Sequence, residues 1–274
     1  MPELPEVEQV RRSLEPHLLG RRVKHVALFH QSYALTPALT LQNLLGQRFL
    51  RTHRHGKYMR LETQSGQQLM IHLGMTGWVD VSPPELPREA HTHLVITLDN
   101  HHELRCVDPR RFGGVWWFAS AADACAHPSL AKLGPDTLEI TPQHLWQAWR
   151  GIKAPVKARL LGQTDIAGVG NIYADEALFR AGIHPRRSAG MIPLAQVKLL
   201  TRHLRTIMLR SIRMGGTTLR DYRDADGRQG EFTRKLLIYG HSGQPCPSCG
   251  KPLTTAIIAA RTTVYCTHCQ PLRG

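Results

Sequence analysis

The chain has 274 residues, of which 42% are hydrophobic, and its 35 Lys plus Arg against 21 Asp plus Glu leave a formal charge of +14 and a pI near 10.0. That length supports one large or two medium domains with real cores, and a basic surplus of this size points to a polyanion, most commonly nucleic acid, rather than to a generally basic protein without such a partner. No basic segment followed by an apolar one opens the chain and no run of about 18 apolar residues occurs, so neither secretion nor membrane insertion is indicated and the cytoplasm is the expected compartment.

The chain opens MPELPEVE, with two prolines and three glutamates in its first eight residues. Pro5 suits the first position of a helix, Glu6 and Glu8 suit its positive amino terminus, and Val7, Val10, Leu14 and Leu18 form an apolar stripe. Capping does not account for Pro2 and Glu3, which precede the helix. Short alternating or β-branched runs follow at residues 22–28, 58–62, 69–73, 94–98 and 115–118, separated by Gly, Pro and Asn clusters. Strands at this spacing predict an antiparallel sandwich over residues 1–132. Residues 133–142 read as a linker, ending in Thr141-Pro142, which caps a helix through Trp149.

The next stretch, 143–230, reads as helical. Leu194, Val197, Leu200, Leu204, Ile207 and Met208 recur at helical spacing from Pro193 to Met214, with Lys198, Arg202 and Arg205 for another face, until Gly215-Gly216 stops the helix. From Gly215 to Phe232 the chain is dense in Gly, Arg and Asp, which predicts a mobile loop. The last stretch, 231–274, holds four of the six cysteines as Cys246-Pro-Ser-Cys249, 16 intervening residues, and Cys266-Thr-His-Cys269. Two such knuckles can present four thiolates tetrahedrally to one structural Zn2+, as in a zinc ribbon. A redox pair would not need duplication, and disulfides would not persist in a reducing compartment. Cys106 and Cys125 read as buried small hydrophobes. The 16 histidines have no carboxylate or cysteine set among them at ligand spacing, so no second metal site is expected. The whole is of the α+β class.

A Met-Pro start commonly loses its methionine, which leaves Pro2 with a free secondary amine. An α-amino group has a pKa of about 7.7 to 8.0, so a useful fraction is neutral and nucleophilic at neutral pH. A secondary amine that attacks an aldehyde-level carbon gives an iminium ion, which labilises neighbouring bonds. By itself the octapeptide is better served by a Pro2 that only stiffens the terminus.

Six runs in order carry a more specific signal: PELPEVE at the start, Ile71-His72-Leu73-Gly74-Met75-Thr76-Gly77, Asp108-Pro109-Arg110-Arg111-Phe112-Gly113, Gly168-Val169-Gly170-Asn171-Ile172-Tyr173-Ala174, Gly215-Gly216-Thr217-Thr218-Leu219, and the four cysteines. Together they resemble the bacterial formamidopyrimidine-DNA glycosylases, base-excision enzymes for 8-oxoguanine, over nearly the whole chain. One departure is Ala260 before Arg261, where relatives often carry Gln or Gly.

The resemblance implies an N-terminal β-sandwich with a catalytic helix, a helix-two-turns-helix domain and a zinc-ribbon hairpin. It also implies a monomer that acts on damaged double-stranded DNA in the bacterial cytoplasm, at the nucleoid, without a nucleotide cofactor. Pro2 matches the nucleophile that attacks C1′ as the base leaves, and Glu3 its acid/base partner. Glu6 matches a supporting glutamate. Lys57 matches a lysine that grips the backbone beside the flipped nucleotide.

A base within a duplex must be rotated out before its sugar can be attacked, and rotation leaves a gap and an orphaned partner. Met75 and Phe112 match the side chains that fill the gap, and Arg110, a pure donor, the one that meets the orphaned cytosine. Asn171, Arg261 and Lys157 match phosphate ligands, and His91 and His93 a pair near the site. Two alternatives remain at this stage. An endonuclease VIII-like glycosylase for oxidised pyrimidines would open PEGPE and lack Arg110 and Phe112, and a zinc-ribbon DNA-binding protein without catalysis would have no use for Pro2 and Glu3.

Overall fold

The computed structural model describes residues 2–219 and 222–272. It divides into two compact units, one of Met1–Ala131 with Ser211–Glu231, the other of Lys132–Arg210 with Phe232–Gly274.

The first unit begins with helix α1 (Leu4–Leu18). Eight strands follow: β1 (Val23–Leu28), β2 (Phe49–His55), β3 (Tyr58–Thr63), β4 (Gln68–His72), β5 (Trp78–Ser82), β6 (Thr92–Leu98), β7 (Glu103–Val107) and β8 (Gly114–Phe118). They form two antiparallel four-stranded sheets, ordered β1-β6-β7-β5 and β2-β3-β4-β8. Alternation explains much of the core: Met59 and Leu61 of β3 and Leu94, Ile96 and Leu98 of β6 are buried in one cluster, which Val23 and Val26 of β1 join across a register shift between Val23 and His25. Val7, Val10, Leu14 and Leu18 join the same cluster, so the apolar stripe of α1 is buried as its spacing predicts. Two short helices, α2 (Ala121–Ala126) and α3 (Pro128–Ala131), complete the continuous part of the unit.

Two strands have no clear sequence signature. β2 reads FLRTHRH, too polar to stand out, and β7 is buried at every position although it carries Glu103 and Arg105. Those two pair at 2.9 Å, and Arg105 also donates to the Pro83 and Leu86 carbonyls, so a loop covers what alternation would leave exposed. Cys106 is fully buried as expected. Cys125 is not: it is exposed, because α2 is short and buries only Ala124.

The second unit is helical, with α4 (Pro142–Trp149), α5 (Val156–Leu161), α6 (Asn171–Arg180) and α7 (Leu194–Arg213), followed by the hairpin β9 (Thr254–Ile258) and β10 (Arg261–Tyr265). Thr141 caps α4 by accepting from the His144 amide at 3.2 Å. The stretch expected as a linker is built into this unit, since Asp136 and Thr137 are buried and Thr137 bonds the Ala167 carbonyl.

Residues 211–231, read with the helical domain, pack instead with the first unit. Thr217 bridges Glu231, the Ala225 amide donates to Ser13 Oγ at 3.0 Å, and Ala225 enters the cluster beneath α1. Arg220 and Asp221, within the stretch expected to be a mobile loop, lie outside the described residues. Among the described residues no helix is long and apolar enough to cross a membrane.

Candidate nucleic-acid interface and catalytic terminus

The sheet β2-β3-β4-β8 gathers Lys57, Met75, Arg110 and Phe112 at one of its ends. Gly56 and Lys57 form the turn between β2 and β3, and Tyr58 pairs with His72 at the exit of β4. His72 in turn pairs with Gly114, the first residue of β8. The turn that carries Met75 therefore leaves the sheet where the loop with Arg110 and Phe112 enters it. Contact between the two is backbone to backbone: a Cβ on Gly74 would lie 2.9 Å from Gly113 Cα, and one on Gly113 would lie 2.9 Å from the Leu73 carbonyl carbon. Neither position admits a side chain.

Met75 and Phe112 stay 37% and 54% exposed, so neither is a core residue. Arg110 is exposed and its guanidinium stacks over the Phe112 ring at 4.5 Å. His91 is exposed beside this loop, in left-handed backbone, and its carbonyl accepts from the Asp108 amide at 3.1 Å. His93 is buried and its Nε2 lies 2.8 Å from the Asp108 carbonyl oxygen. His72, at the exit of β4, is half-buried, and desolvation together with the charge of Lys57 lowers its pKa to about 4, so its ring is neutral near pH 7.

At the amino terminus Pro2 and Glu3 are both buried, and Glu3 is itself the cap of α1, so Leu4 and Pro5 occupy the first turn. The Glu3 amide donates to Glu6 Oε2 at 2.8 Å. Glu6 Oε1 accepts from the Thr217 amide at 2.8 Å, and the Tyr222 hydroxyl donates to the Glu6 carbonyl. Glu6 thus both caps the helix and ties Thr217 and Tyr222 to it. Glu8 does something other than serve the helix terminus: it pairs with Arg11, Arg12 and Arg54, and Arg54 also bonds the Gly56 carbonyl beside Lys57. Met1, whose removal the Met-Pro start implies, lies outside the described residues.

In the second unit Asn171 opens α6 directly after the Gly168-Val169-Gly170 turn, where helix-end amides can face an anion. Its Nδ2 donates to the Thr262 carbonyl at 2.9 Å, which places it beside exposed Arg261 at the start of β10. Lys157 is a correction. It is completely buried, paired with Asp175 at 2.6 Å and bonded to Thr263 Oγ1 at 2.7 Å, so it is neither a solvated charge nor open to a direct phosphate contact. Burial outweighs the pull of Lys157 and raises the Asp175 carboxyl to about 6, so the pair supplies placement more than net stability. Asp175 also accepts from the Val264 amide, which fixes β10 against α6.

Sequence reasoning missed this pair, and it missed Glu176, whose buried carboxylate accepts from the Leu237, Ile238 and Tyr239 amides at 2.8–3.0 Å. The available signal was two adjacent acids inside an otherwise apolar helix.

The four cysteine sulfurs lie within 4.8 Å of one another, with Cys249 and Cys266 3.5 Å apart and Cys246 and Cys269 3.8 Å apart. A tetrahedral zinc with bonds of about 2.3 Å needs sulfurs about 3.8 Å apart, so the residues fit one structural zinc with no open position for chemistry.

Comparison with known proteins gives three family matches along the chain: the formamidopyrimidine-DNA glycosylase N-terminal domain at residues 1–115, the H2TH domain of the same glycosylases at 133–223, and a zinc finger found in FPG and IleRS at 243–272. Formamidopyrimidine-DNA glycosylase from Nitrosococcus oceani is 46% identical, over 98% of this chain and all of the relative, and one from Escherichia coli is 41% identical over 98% and 100%. Among solved structures, the MutM (Fpg) protein of Thermus thermophilus covers both chains fully at 36% identity with a TM-score of 0.89. A Lactococcus lactis Fpg variant in complex with Fapy-dG-containing DNA matches 98% of this chain and 100% of its own, at 31% identity and a TM-score of 0.92.

Proposed function

Because the chain belongs to the formamidopyrimidine-DNA glycosylase family, we propose that it excises oxidised purines, 8-oxoguanine and formamidopyrimidines, from duplex DNA and then cleaves the strand at the abasic site. The observation that carries this reading is the pair of close-packed turns that hold Met75, Arg110 and Phe112 exposed at one end of a sheet. A pure binding module would have no use for a Pro2 amine and Glu3 in addition to exposed apolar wedges. Relatives solved with Fapy-dG-containing and carbocyclic 8-oxo-G-containing DNA support the substrate class.

In this mechanism Lys57, Asn171 and Arg261 bind phosphates, and the charge of +14 makes binding strongly salt dependent. Met75 and Phe112 occupy the gap of the extruded nucleotide, Arg110 donates to the opposite cytosine, and His91 contacts the DNA beside them.

The Pro2 amine attacks C1′ of the deoxyribose. The glycosidic bond breaks, its electrons leave with the base, which takes up a proton, and the Pro2 nitrogen gives up its own proton so that its lone pair is restored. Glu3 then protonates O4′ as the C1′–O4′ bond opens, giving an iminium ion on Pro2. Loss of a C2′ proton expels the 3′ phosphate, a second elimination expels the 5′ phosphate, and water releases the sugar fragment. Zinc on Cys246, Cys249, Cys266 and Cys269 contributes folding of the ribbon that presents Arg261.

The test is borohydride trapping of the full-length protein on an 8-oxoguanine duplex. A covalent adduct is expected with a free Pro2, and none when Met1 or a tag is retained ahead of it. An adduct from protein with a verified blocked terminus would remove Pro2 from its role.

A further inference from the structure

Asp108 has no part in the mechanism above, although its carboxylate is completely buried and receives three donors. Thr76 Oγ1 and the Arg110 amide bond Oδ1 at 2.9 and 3.3 Å, and the Gly113 amide bonds Oδ2 at 2.8 Å. Each donor adjoins an exposed side chain of the interface: Thr76 follows Met75, Arg110 is itself the base reader, and Gly113 follows Phe112. The Asp108 backbone is held from the other side, by His93 on its carbonyl and by the His91 carbonyl on its amide.

We propose that Asp108 is a positioning residue for lesion recognition, locking the Met75 turn to the Arg110–Phe112 loop so that gap filling and reading of the opposite base occur as one event. The inference rests on the function proposed above. Without the carboxylate, the β4–β8 pairing and the Gly74–Gly113 contact would still bring the two turns together, but the hydrogen bonds through which Asp108 joins Thr76 to the Arg110–Gly113 loop would be lost. A carboxylate suits this place because it accepts from several donors at once, whereas an amide of the same shape turns one acceptor into a donor that faces Thr76 or Gly113.

The experiment uses the full-length, zinc-loaded protein and the variants Asp108→Asn, Thr76→Val and Thr76→Ser. Thr76→Val removes one donor on an exposed turn and leaves the other bonds of Asp108 in place, so folding is not at stake. Single-turnover excision of 8-oxoguanine is measured opposite cytosine and opposite adenine. Asp108→Asn and Thr76→Val should each lower the cytosine-to-adenine ratio about fivefold, the scale of one hydrogen bond, and Thr76→Ser should restore it.

Met75→Ala and Arg110→Ala should be non-additive in the parent and additive in the Thr76→Val background. In Asp108→Asn the Gly113 amide should lose hydrogen-exchange protection, a readout independent of catalysis. Variants that slow excision equally opposite both bases, or that keep the parental ratio and coupling, would overturn the inference and leave the proposed function standing. A parent that excises no 8-oxoguanine opposite either base would overturn both.

Discussion

Glu8 illustrates how one residue is decided by its partners. Burial pushes its carboxyl up, but hydrogen bonds from Arg11 and Arg12 and the charges of Arg11 and Arg54 outweigh this and hold it at about 2, against an ordinary 4.5. A depressed carboxyl stabilises the fold above its unfolded value and loses that contribution as pH falls from about 4.5 toward 2. Glu8→Gln should therefore lower stability by about 1–2 kcal/mol at pH 7, less than the full shift because the network borders solvent. Denaturant titrations at pH 7 and pH 3 check this, and an equal loss at both would mean that the charge is not responsible. Arg110 gives a second prediction at this scale. Arg110→Ala should reduce discrimination between lesions opposite cytosine and adenine by roughly 1–3 kcal/mol, while Phe112→Ala should slow excision whatever the opposite base. Equal losses opposite both bases in the Arg110 variant, measured by single-turnover excision, would count against its role.

Among the elements, the ribbon hairpin is the least self-sufficient. β9 and β10 are joined by Ala259 and Ala260, both in left-handed backbone at φ 49° and 55°. Tight two-residue hairpin turns of this hand favour Asn-Gly, and each non-glycine residue there costs roughly 1–2 kcal/mol. Ala260→Gly should stabilise the hairpin by about 1 kcal/mol, seen as a higher chelator concentration for half-release of zinc. A lower midpoint would show that the Cβ of Ala260 contributes more than its strain costs. Resemblance alone marked this turn as a departure, and the backbone angles give the reason it matters: Arg261 follows it directly. α6 makes the complementary point, because its two buried acids anchor β10 through Val264 and the preceding residues through Leu237 to Tyr239.

For the whole molecule the salt dependence of duplex binding separates charge from placement. Arg261→Ala should reduce the magnitude of the log-log salt slope by about 1 and weaken binding to all sequences alike. Cys249→Ser leaves the net charge of the metal-free chain unchanged, yet should do at least as much, because a ribbon without zinc no longer holds Arg261 in position. The measurement is a salt titration with zinc content determined alongside. A variant that has lost zinc but keeps the parental affinity and slope would make the ribbon dispensable for binding. Lys157→Met belongs to neither class and should act through the hairpin it supports.

Local pattern was enough to determine a good deal of this protein. Apolar spacing set the buried face of α1 and the limits of α7, turn residues marked the ends of α4 and α7, and two C-x2-C pairs specified a four-sulfur site. These signals are short-range: their partners lie within a few residues, or chemistry permits only one arrangement. The order of the motifs also carried the family. What only the tertiary structure decided involves partners far apart in sequence. Lys157 looks like any surface lysine until Asp175 and Thr263 enclose it, Glu8 looks like a helix-terminus acid until Arg54 reaches it, and Asp108 is unremarked within its run until Thr76 reaches it from another turn. Charge in a sequence has no burial, and burial is what turns a solvated group into a clamp, because a buried carboxylate or ammonium must find its donors and acceptors wherever the fold supplies them.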